Sequence, residues 1–486
     1  MGLRSEAEYR EGLRDGREVY FRGQRVDDVT KHPIIGVGVR HCSIDFRLAE
    51  DAEHRDLFTY ELPEGGRASR YYKVPAAAED LLDRNRMIET GTRLSLGVVP
   101  LVKEIGTDAL FALLLVTREM DRRLGTKYRE RVQRYLERAR EMDLALAVAQ
   151  TDVKGDRRRR PSQQSKPDYY VRIVRKTPDG IVIRGAKAHT TNTPFADEIL
   201  VIPTRAMMEE DSDYAVACAV PVNARGVRLI VSPFSPEQDS LFHHPVSARH
   251  RLIDTLTIFD DVFVPWDRVF LCGEAAFAGP LANTFVEFHR FTAISYKPPL
   301  LDLLIGAAAL IADFNGVLGA PHIQEKLTRL AIYTETIRAL TRQAAMEPKF
   351  TDGVAIPRTL VTNMCKYYFA TQYHQMISLV QDIAGGLLVT GPSEEDLRHP
   401  VLRQDIATYL GGREGAGARE RLQVFNLIRD LTASDFGGYN EVLQIHAEGS
   451  IEAQKITIWR EFDLDRCVEL ARQAVNLDGQ EQLTPA

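Results

Sequence analysis

Two segments of this chain concentrate side chains suited to holding a large polar ligand that carries phosphate. The first reads Thr151-Asp152-Val153-Lys154-Gly155-Asp156-Arg157, and the second Arg184-Gly185-Ala186-Lys187-Ala188-His189-Thr190-Thr191. Cations supply charge-assisted hydrogen bonds to phosphate oxygens, hydroxyls supply neutral ones, and glycine lets the backbone come close. Between the two lie Tyr169-Tyr170-Val171-Arg172-Ile173-Val174 and Gly180-Ile181-Val182-Ile183, alternating or β-branched runs divided by Thr177-Pro178-Asp179-Gly180. That spacing predicts a tight hairpin. A hairpin with a solvated basic loop and no ligand satisfies the same spacing, so both readings stay open on these residues alone.

The elements around this block must position it. Residues 1–150 contain helix-period stretches at 76–88, 108–124 and 128–149, the last predicted as one long helix with Arg and Glu opposite Leu and Ala. Residues 151–273 change to period two with Gly, Pro and Asp punctuation. From 274 to 486 the pattern is helical again, with apolar stretches at 300–314 and 326–345. Helices, then a β-rich block, then long helices predict an α+β protein with a β-domain between helical domains. The run Arg157-Arg158-Arg159-Arg160 opens a basic polar loop in which only Arg157 is expected to touch a ligand.

Composition narrows the class. A chain of 486 residues with 44% apolar and 27% charged residues is an ordinary globular protein. Its net charge of −6 gives no general case for binding nucleic acid or an anionic membrane. The start, Met1-Gly2-Leu3-Arg4-Ser5-Glu6, lacks the apolar core of a signal peptide, and no membrane span is expected, so a cytoplasmic location is the expectation. Cys42, Cys218, Cys272, Cys365 and Cys467 are too scattered to form a CxxC pair, and all five are expected to be buried. No metal site is expected. No GxGxxG follows a strand, which leaves reduction by a nicotinamide to another protein.

Over nearly its whole length the chain resembles the family of 4-hydroxyphenylacetate 3-monooxygenase oxygenase components and 4-hydroxybutyryl-CoA dehydratase. The residues that carry the likeness include Asp28-Val29-Thr30-Lys31-His32-Pro33, the 151–157 block, 180–187 and Phe259-Asp260-Asp261-Val262-Phe263-Val264-Pro265. Gly306-Ala307-Ala308-Ala309-Leu310 and Asp382-Ile383-Ala384-Gly385-Gly386 with Pro392-Ser393-Glu394 complete them, all in the family's order. The resemblance implies an acyl-CoA-dehydrogenase-like fold, with an N-terminal helical domain, a middle β-domain and a C-terminal four-helix bundle. It implies FAD, used as FADH2, in the cleft between domains, and a homotetramer built as a dimer of dimers. Carried over, Thr151, Lys154, Gly155, Asp156 and Arg157 would line the flavin and its phosphates, and Thr190 and Thr191 its ring region. Gly385 and Gly386 would lie against a neighbouring subunit's flavin, although a helix C-cap also accounts for them. Ser434 and Gly437 would belong to a further flavin-contacting turn.

The family divides by chemistry, and the departures decide between its branches. The dehydratase branch holds a [4Fe–4S] cluster on three cysteines and a histidine. At the matching positions this chain has Arg93, Gly97 and Tyr296 in place of the thiolates, and keeps only His289 with the neighbouring Lys297. The hydroxylase branch is matched imperfectly as well. Residues 100–108 lack its arginine–tyrosine pair and Val148 stands near its histidine, yet Phe242-His243-His244-Pro245-Val246-Ser247-Ala248-Arg249 is similar to its substrate loop. In the same way, His243, His244 and His250 are expected to belong to a substrate loop and not to a metal site.

The resemblance therefore implies the oxygenase component of a two-component monooxygenase. A separate reductase would supply FADH2, which this chain would react with O2 to form a C4a-hydroperoxide that hydroxylates an aromatic or related small molecule. The alternative is an iron–sulfur-free, flavin-containing acyl-CoA dehydratase or isomerase with His289 and Tyr296 as acid and base. His289, Tyr296 and Arg93 are the candidate catalytic residues, expected to converge where the relative has its cluster. For each the ordinary reading, a structural helical histidine, a cavity-filling ring or a surface ion pair, remains open. Metal analysis of the purified chain should find far less than the roughly four iron atoms per chain of a full cluster. A content near four would overturn the inference drawn from Arg93, Gly97 and Tyr296.

Overall fold

The computed structural model describes residues 2–233, 240–475 and 477. Helices dominate both ends of the chain, and the middle carries two sheets. The predicted hairpin is present: strand Arg172–Thr177 pairs antiparallel with Gly180–Thr191 through a turn whose Thr177 hydroxyl accepts from the Gly180 amide. In the six-stranded sheet the order is Gln24–Val26, Val19–Phe21, Val227–Val231, Asp254–Pro265, Gly180–Thr191, Arg172–Thr177. Two of these strands come from the first 30 residues, so the β-domain reaches across the boundary expected at residue 150.

A second correction lies at that boundary. The stretch expected as one helix over 128–149 is helix Tyr128–Glu141 followed by strand Leu146–Ala149. Asp143 breaks the helix. It adopts a left-handed φ of 48°, and its carboxylate receives Lys103 Nζ at 2.7 Å in a fully buried ion pair. The apolar 146–149 run then pairs in parallel with Glu198–Val201, every residue buried. Apolar period alone cannot separate a buried strand from one side of a helix.

The C-terminal core is built on helix Ala275–Phe314, which packs with Pro321–Met346, Thr359–Ala384 and Ala418–Thr432 as the expected four-helix bundle. Helices Ala78–Leu94 and Glu104–Leu124 lie against the same long helix from the N-terminal side. By length and composition that helix could cross a membrane, but here most of its apolar window is buried among its neighbours. Four of the cysteines are buried as expected. Cys467 is not: it lies exposed on Leu464–Ala474, a helix with no buried residue.

The ligand-type segments are anchored by one buried ion pair. Lys187 Nζ lies 2.9 Å from Asp152, both nearly inaccessible, and donates to the carbonyls of Gln150 at 2.8 Å and Ile202 at 3.0 Å. Asp152 in turn accepts from the Val171 amide at 2.9 Å. Strand Gly180–Thr191 and the 151–157 loop are thus held in one register. Gly185 permits it, at φ 135°, with Tyr170 O only 2.6 Å from where a Cβ would stand. Gly185→Ala should therefore lower stability by about 2–3 kcal/mol. Urea midpoints for the two proteins check this, and an unchanged midpoint would contradict it.

Candidate functional site

The 151–157 loop carries left-handed backbone at two successive positions, Lys154 (φ 74°) and Gly155 (φ 55°). A side chain at 155 would meet the Tyr169 ring at 2.4 Å, so glycine is required where the loop folds on itself. Burial, then Arg157 and Arg205, push the Lys154 ammonium below its ordinary range, against Asp152. That opposing acid is already held by Lys187, so Lys154, Arg157 and Arg205 leave positive charge uncompensated at this loop. The chemistry of that donor set suits the phosphates of a ligand such as FAD. Thr151 ties the loop to the strand, its carbonyl accepting from Ala188 N at 2.8 Å.

Other expected ligand residues have local duties. Asp156 holds Arg158 at 3.0 Å through its carboxylate and the Gln164 side chain through its backbone N and O. Arg160 pairs with buried Asp211, leaving Arg157 exposed without an ion pair among the described residues. Thr190 corrects its expectation. Its hydroxyl is sealed inside the sheet with Thr255 and Thr257, whereas Thr191 stays half-buried with its hydroxyl on Asp254 at 2.6 Å. The period of a strand puts neighbours on opposite faces, so the pair cannot act together on one ligand.

Ser434 and Gly437 are likewise accounted for by helix Asp435–His446. Ser434 is its N-cap, accepting from Gly437 N at 3.0 Å, and a Cβ at Gly437 would stand 2.7 Å from Thr432 N. Gly385, at φ 77°, ends helix Thr359–Ala384, but a Cβ at Gly385 or Gly386 would meet nothing among the described residues of this chain. The positive φ of Gly385 accounts for glycine there as the helix C-cap, whereas nothing among the described residues requires glycine at 386.

The expected catalytic trio divides. His289 and Tyr296 both lie buried on helix Ala275–Phe314. Arg93 stands apart and half exposed, its guanidinium 2.5 Å from Asp302 and 3.6 Å from Glu89. Two carboxylates on neighbouring helix faces draw the long side chain outward, so the convergence expected for it is not formed. Gly97 is equally unsuited to a metal ligand, because a Cβ there would come 2.9 Å from Leu300 Cα. With the Tyr296 hydroxyl donating to Glu448, none of the three positions can offer a thiolate or substitute for one. The residues present do not fit an iron–sulfur cluster.

Tyr296 belongs instead to a buried ionic centre. Glu448 Oε2 lies 2.9 Å from Lys366 Nζ, and Lys297 Nζ lies 4.0 Å from Oε1 and 2.7 Å from Gln444 Oε1. Burial would push the Glu448 carboxyl up, but Lys297, Lys366 and His289 outweigh it and hold it at about 2. One carboxylate cannot compensate two ammonium groups. Lys297 is the less well compensated, and burial together with Lys366 pushes it well below its ordinary range. Tyr296 is pushed up by burial and by the anion it faces. On the opposite side, His289 stacks on Phe285 at 5.1 Å and 15°, with Nδ1 3.4 Å from Asp108.

Sequence reasoning missed Glu448, Lys366 and Asp108. The available signal was charge in apolar surroundings, as at Lys297 before Pro298-Pro299-Leu300-Leu301 and Asp108 before Ala109-Leu110-Phe111. Of the expected substrate loop, Val246 N and Ser247 N donate to Asp430 at 2.9 and 2.8 Å, while His243 Nε2 accepts from Glu394 N at 3.1 Å. His250 instead faces His41 at 3.3 Å, and burial pushes both imidazoles down, to about 4 and about 3.

A family model described as 4-hydroxyphenylacetate 3-hydroxylase N terminal matches residues 5–271, and one described as 4-hydroxyphenylacetate 3-hydroxylase C terminal matches 278–476. The chain belongs to the 4-hydroxyphenylacetate 3-hydroxylase family. Within that family it is 33% identical over 488 residues to the 4-hydroxybutyryl-CoA dehydratase/vinylacetyl-CoA-Δ-isomerase of Clostridium aminobutyricum, covering 97% of this chain and 99% of the relative. It is 31% identical over 445 residues to the 4-hydroxyphenylacetate 3-monooxygenase oxygenase component of Thermus thermophilus, covering 91% of each. Among solved structures, an oxygen-tolerant 4-hydroxybutyryl-CoA dehydratase from N. maritimus superposes with a TM-score of 0.91 at 32% identity, covering 99% of this chain and 96% of that one. The oxygenase component of 4-hydroxyphenylacetate 3-monooxygenase, complexed with FAD and 4-hydroxyphenylacetate, also gives 0.91, at 29% identity and 98% and 99% coverage. The fold is acyl-CoA-dehydrogenase-like, as expected.

Removing one partner from a buried ion pair leaves the other charge uncompensated. Glu448→Gln should therefore destabilise the protein by about 3–5 kcal/mol at pH 7. The Glu448 carboxyl is held below its unfolded value, so its contribution is complete above roughly pH 4.5 and is lost as pH falls through about 2. The gap between wild type and variant in urea denaturation should narrow over that window. A gap independent of pH would contradict the assignment.

Proposed function

We propose that this chain is the oxygenase component of a two-component, FAD-dependent monooxygenase acting on an aromatic or related small molecule, with a separate reductase supplying FADH2. The observation that carries this reading is the state of the three positions where a cluster-bearing relative has thiolates. Arg93 is drawn outward to Asp302, Gly97 has Leu300 where a side chain would stand, and Tyr296 is bound to Glu448. What remains of the family's equipment is the flavin side. The oxygenase relatives were solved with FAD, and the Lys154, Arg157 and Arg205 group here suits its phosphates.

When bound, the reduced flavin supplies the electrons that activate O2 for transfer of one oxygen atom. The residues of the chain do the rest. Lys154 and Arg157 hold the phosphates, and Thr151 and Gly155 shape the loop that receives them. His289 takes the substrate's hydroxyl proton at Nε2, which raises electron density in the ring to be oxygenated. The apolar walls around it, including Phe285 and Phe288, exclude water from the reacting atoms. Tyr296 and Glu448 form the polar floor beneath His289 and fix the charge that an acidic substrate group meets.

The homotetramer of the family is supported by surface left uncovered in the monomer. Helix Leu464–Ala474 buries none of its residues, and Trp459, Leu470 and Val389 are exposed. The open space at Gly385 and Gly386 suits a neighbouring subunit with its flavin. Substituting Gly386 by a bulky residue is the direct probe of that contact.

A second reading has its own observation. Lys297, Lys366, Glu448 and Tyr296 form a buried acid–base centre, which would serve a cluster-free CoA-thioester dehydratase or isomerase equally well. Assay with a flavin reductase, nicotinamide, FAD and a panel of phenols separates the two. Oxygenated product with little free peroxide supports the first, and conversion of a hydroxyacyl-CoA without O2 supports the second. In the first case His289→Ala should lower product per O2 consumed by about tenfold or more while FADH2 binding persists. Unchanged coupling in that variant would remove His289 from the reaction.

A further inference from the structure

We propose that Asp108, clamped by Arg84, is a positioning residue that fixes the tautomer of His289 and so decides which ring nitrogen meets the substrate. The two acidic oxygens have separate tasks. Oδ1 receives Arg84 NH2 at 2.7 Å, and Oδ2 lies 3.4 Å from His289 Nδ1. Asp108 is fully buried on helix Glu104–Leu124, and Arg84 reaches it from helix Ala78–Leu94.

Arg84 is itself held in place. The same NH2 donates to Glu104 O and Thr107 Oγ1, both at 2.9 Å, and the guanidinium lies over the Phe111 ring at 5.4 Å. A guanidinium only donates, so it leaves Oδ2 free to face the imidazole. An acceptor at Nδ1 requires the hydrogen to be on Nδ1, which leaves the lone pair on Nε2. Rotation of the ring is limited by Phe285, stacked one turn earlier on the same helix. His289 Nε2 has no hydrogen-bond partner among the described residues, and the side chain keeps 10% exposure. The charged groups facing this ring are Asp108 from the N-terminal helix and Glu448 from the turn before Ile451–Glu461.

The geometry thus leaves a basic nitrogen on the unpartnered side of the ring and hides the protonated one. The consequence for turnover rests on the proposed function of His289. The tautomer itself does not.

The test uses the full chain labelled with [15N]histidine, with the His289 signals assigned by their loss in His289→Gln. Wild type should show Nδ1 protonated and Nε2 unprotonated, with or without FAD. In Asp108→Asn the amide can donate to Nδ1, so the hydrogen should move to Nε2. Product formation should then fall about a hundredfold or more, with KM and FAD affinity within about twofold. Asp108→Glu, which keeps the acceptor, should retain the wild-type tautomer. A wild-type protein with Nε2 protonated would overturn the proposal without any variant, and so would an Asp108→Asn protein with the tautomer unchanged. A switched tautomer with undiminished turnover would uphold the positioning role and instead refute the reading of His289 as the proton acceptor.

Discussion

A single carboxylate held between two buried lysine side chains inside the helical core constrains the rest of the site. Ions taken out of water are tolerated only when paired and hydrogen-bonded. The turn that brings Glu448 inward accordingly accepts an unusual backbone, with φ 61° at Glu448 and 98° at Gly449. Arg290 secures it by donating Nε to Glu448 O at 3.0 Å, while a Cβ at Gly449 would stand 2.8 Å from the same guanidinium. Lys366 also donates to the carbonyl of Gln444 at 2.8 Å, placing a cation at the negative end of helix Asp435–His446. The long helix, helix Thr359–Ala384 and this third helix therefore share one electrostatic centre. The third helix passes the constraint on, because Tyr439 donates to Asp254 in the six-stranded sheet at 2.7 Å. Asp430, one helix earlier, fixes the 246–247 backbone in the same way.

Much of this is legible in the residue order, for reasons that can be named. The 172–191 hairpin carries both a strand period and a turn whose chemistry is local. Arg93, Gly97 and Tyr296 are informative because a thiolate has no substitute among those types. Local information fails where distant partners decide. Nothing near residues 146–149 reveals that Glu198–Val201 will pair with them, so a buried strand reads as the end of a helix. Arg93 reads as an inward residue because the sequence does not show Asp302 beside it, 209 positions away. Thr190 and Thr191 are equivalent until the strand puts them on opposite faces. Glu448 is unreadable for the same reason, since its partners Lys297 and Lys366 lie 151 and 82 positions earlier.

The same scaffold serves relatives named for dehydration and for oxygenation, at 33% and 31% identity, so overall likeness does not choose between them. Fold-level similarity rarely does. The choice lies in the side chains that surround His289. Along the same helix, a glycine lies so close to Leu300 that no side chain fits, and the phenol of Tyr296 reaches a carboxylate.

Turnover under 18O2 tests that claim most directly. With reductase, FAD and a phenolic substrate, one atom of 18O should enter the product and none should come from labelled water. Product oxygen derived from water, or turnover of a hydroxyacyl-CoA with O2 excluded, would contradict it.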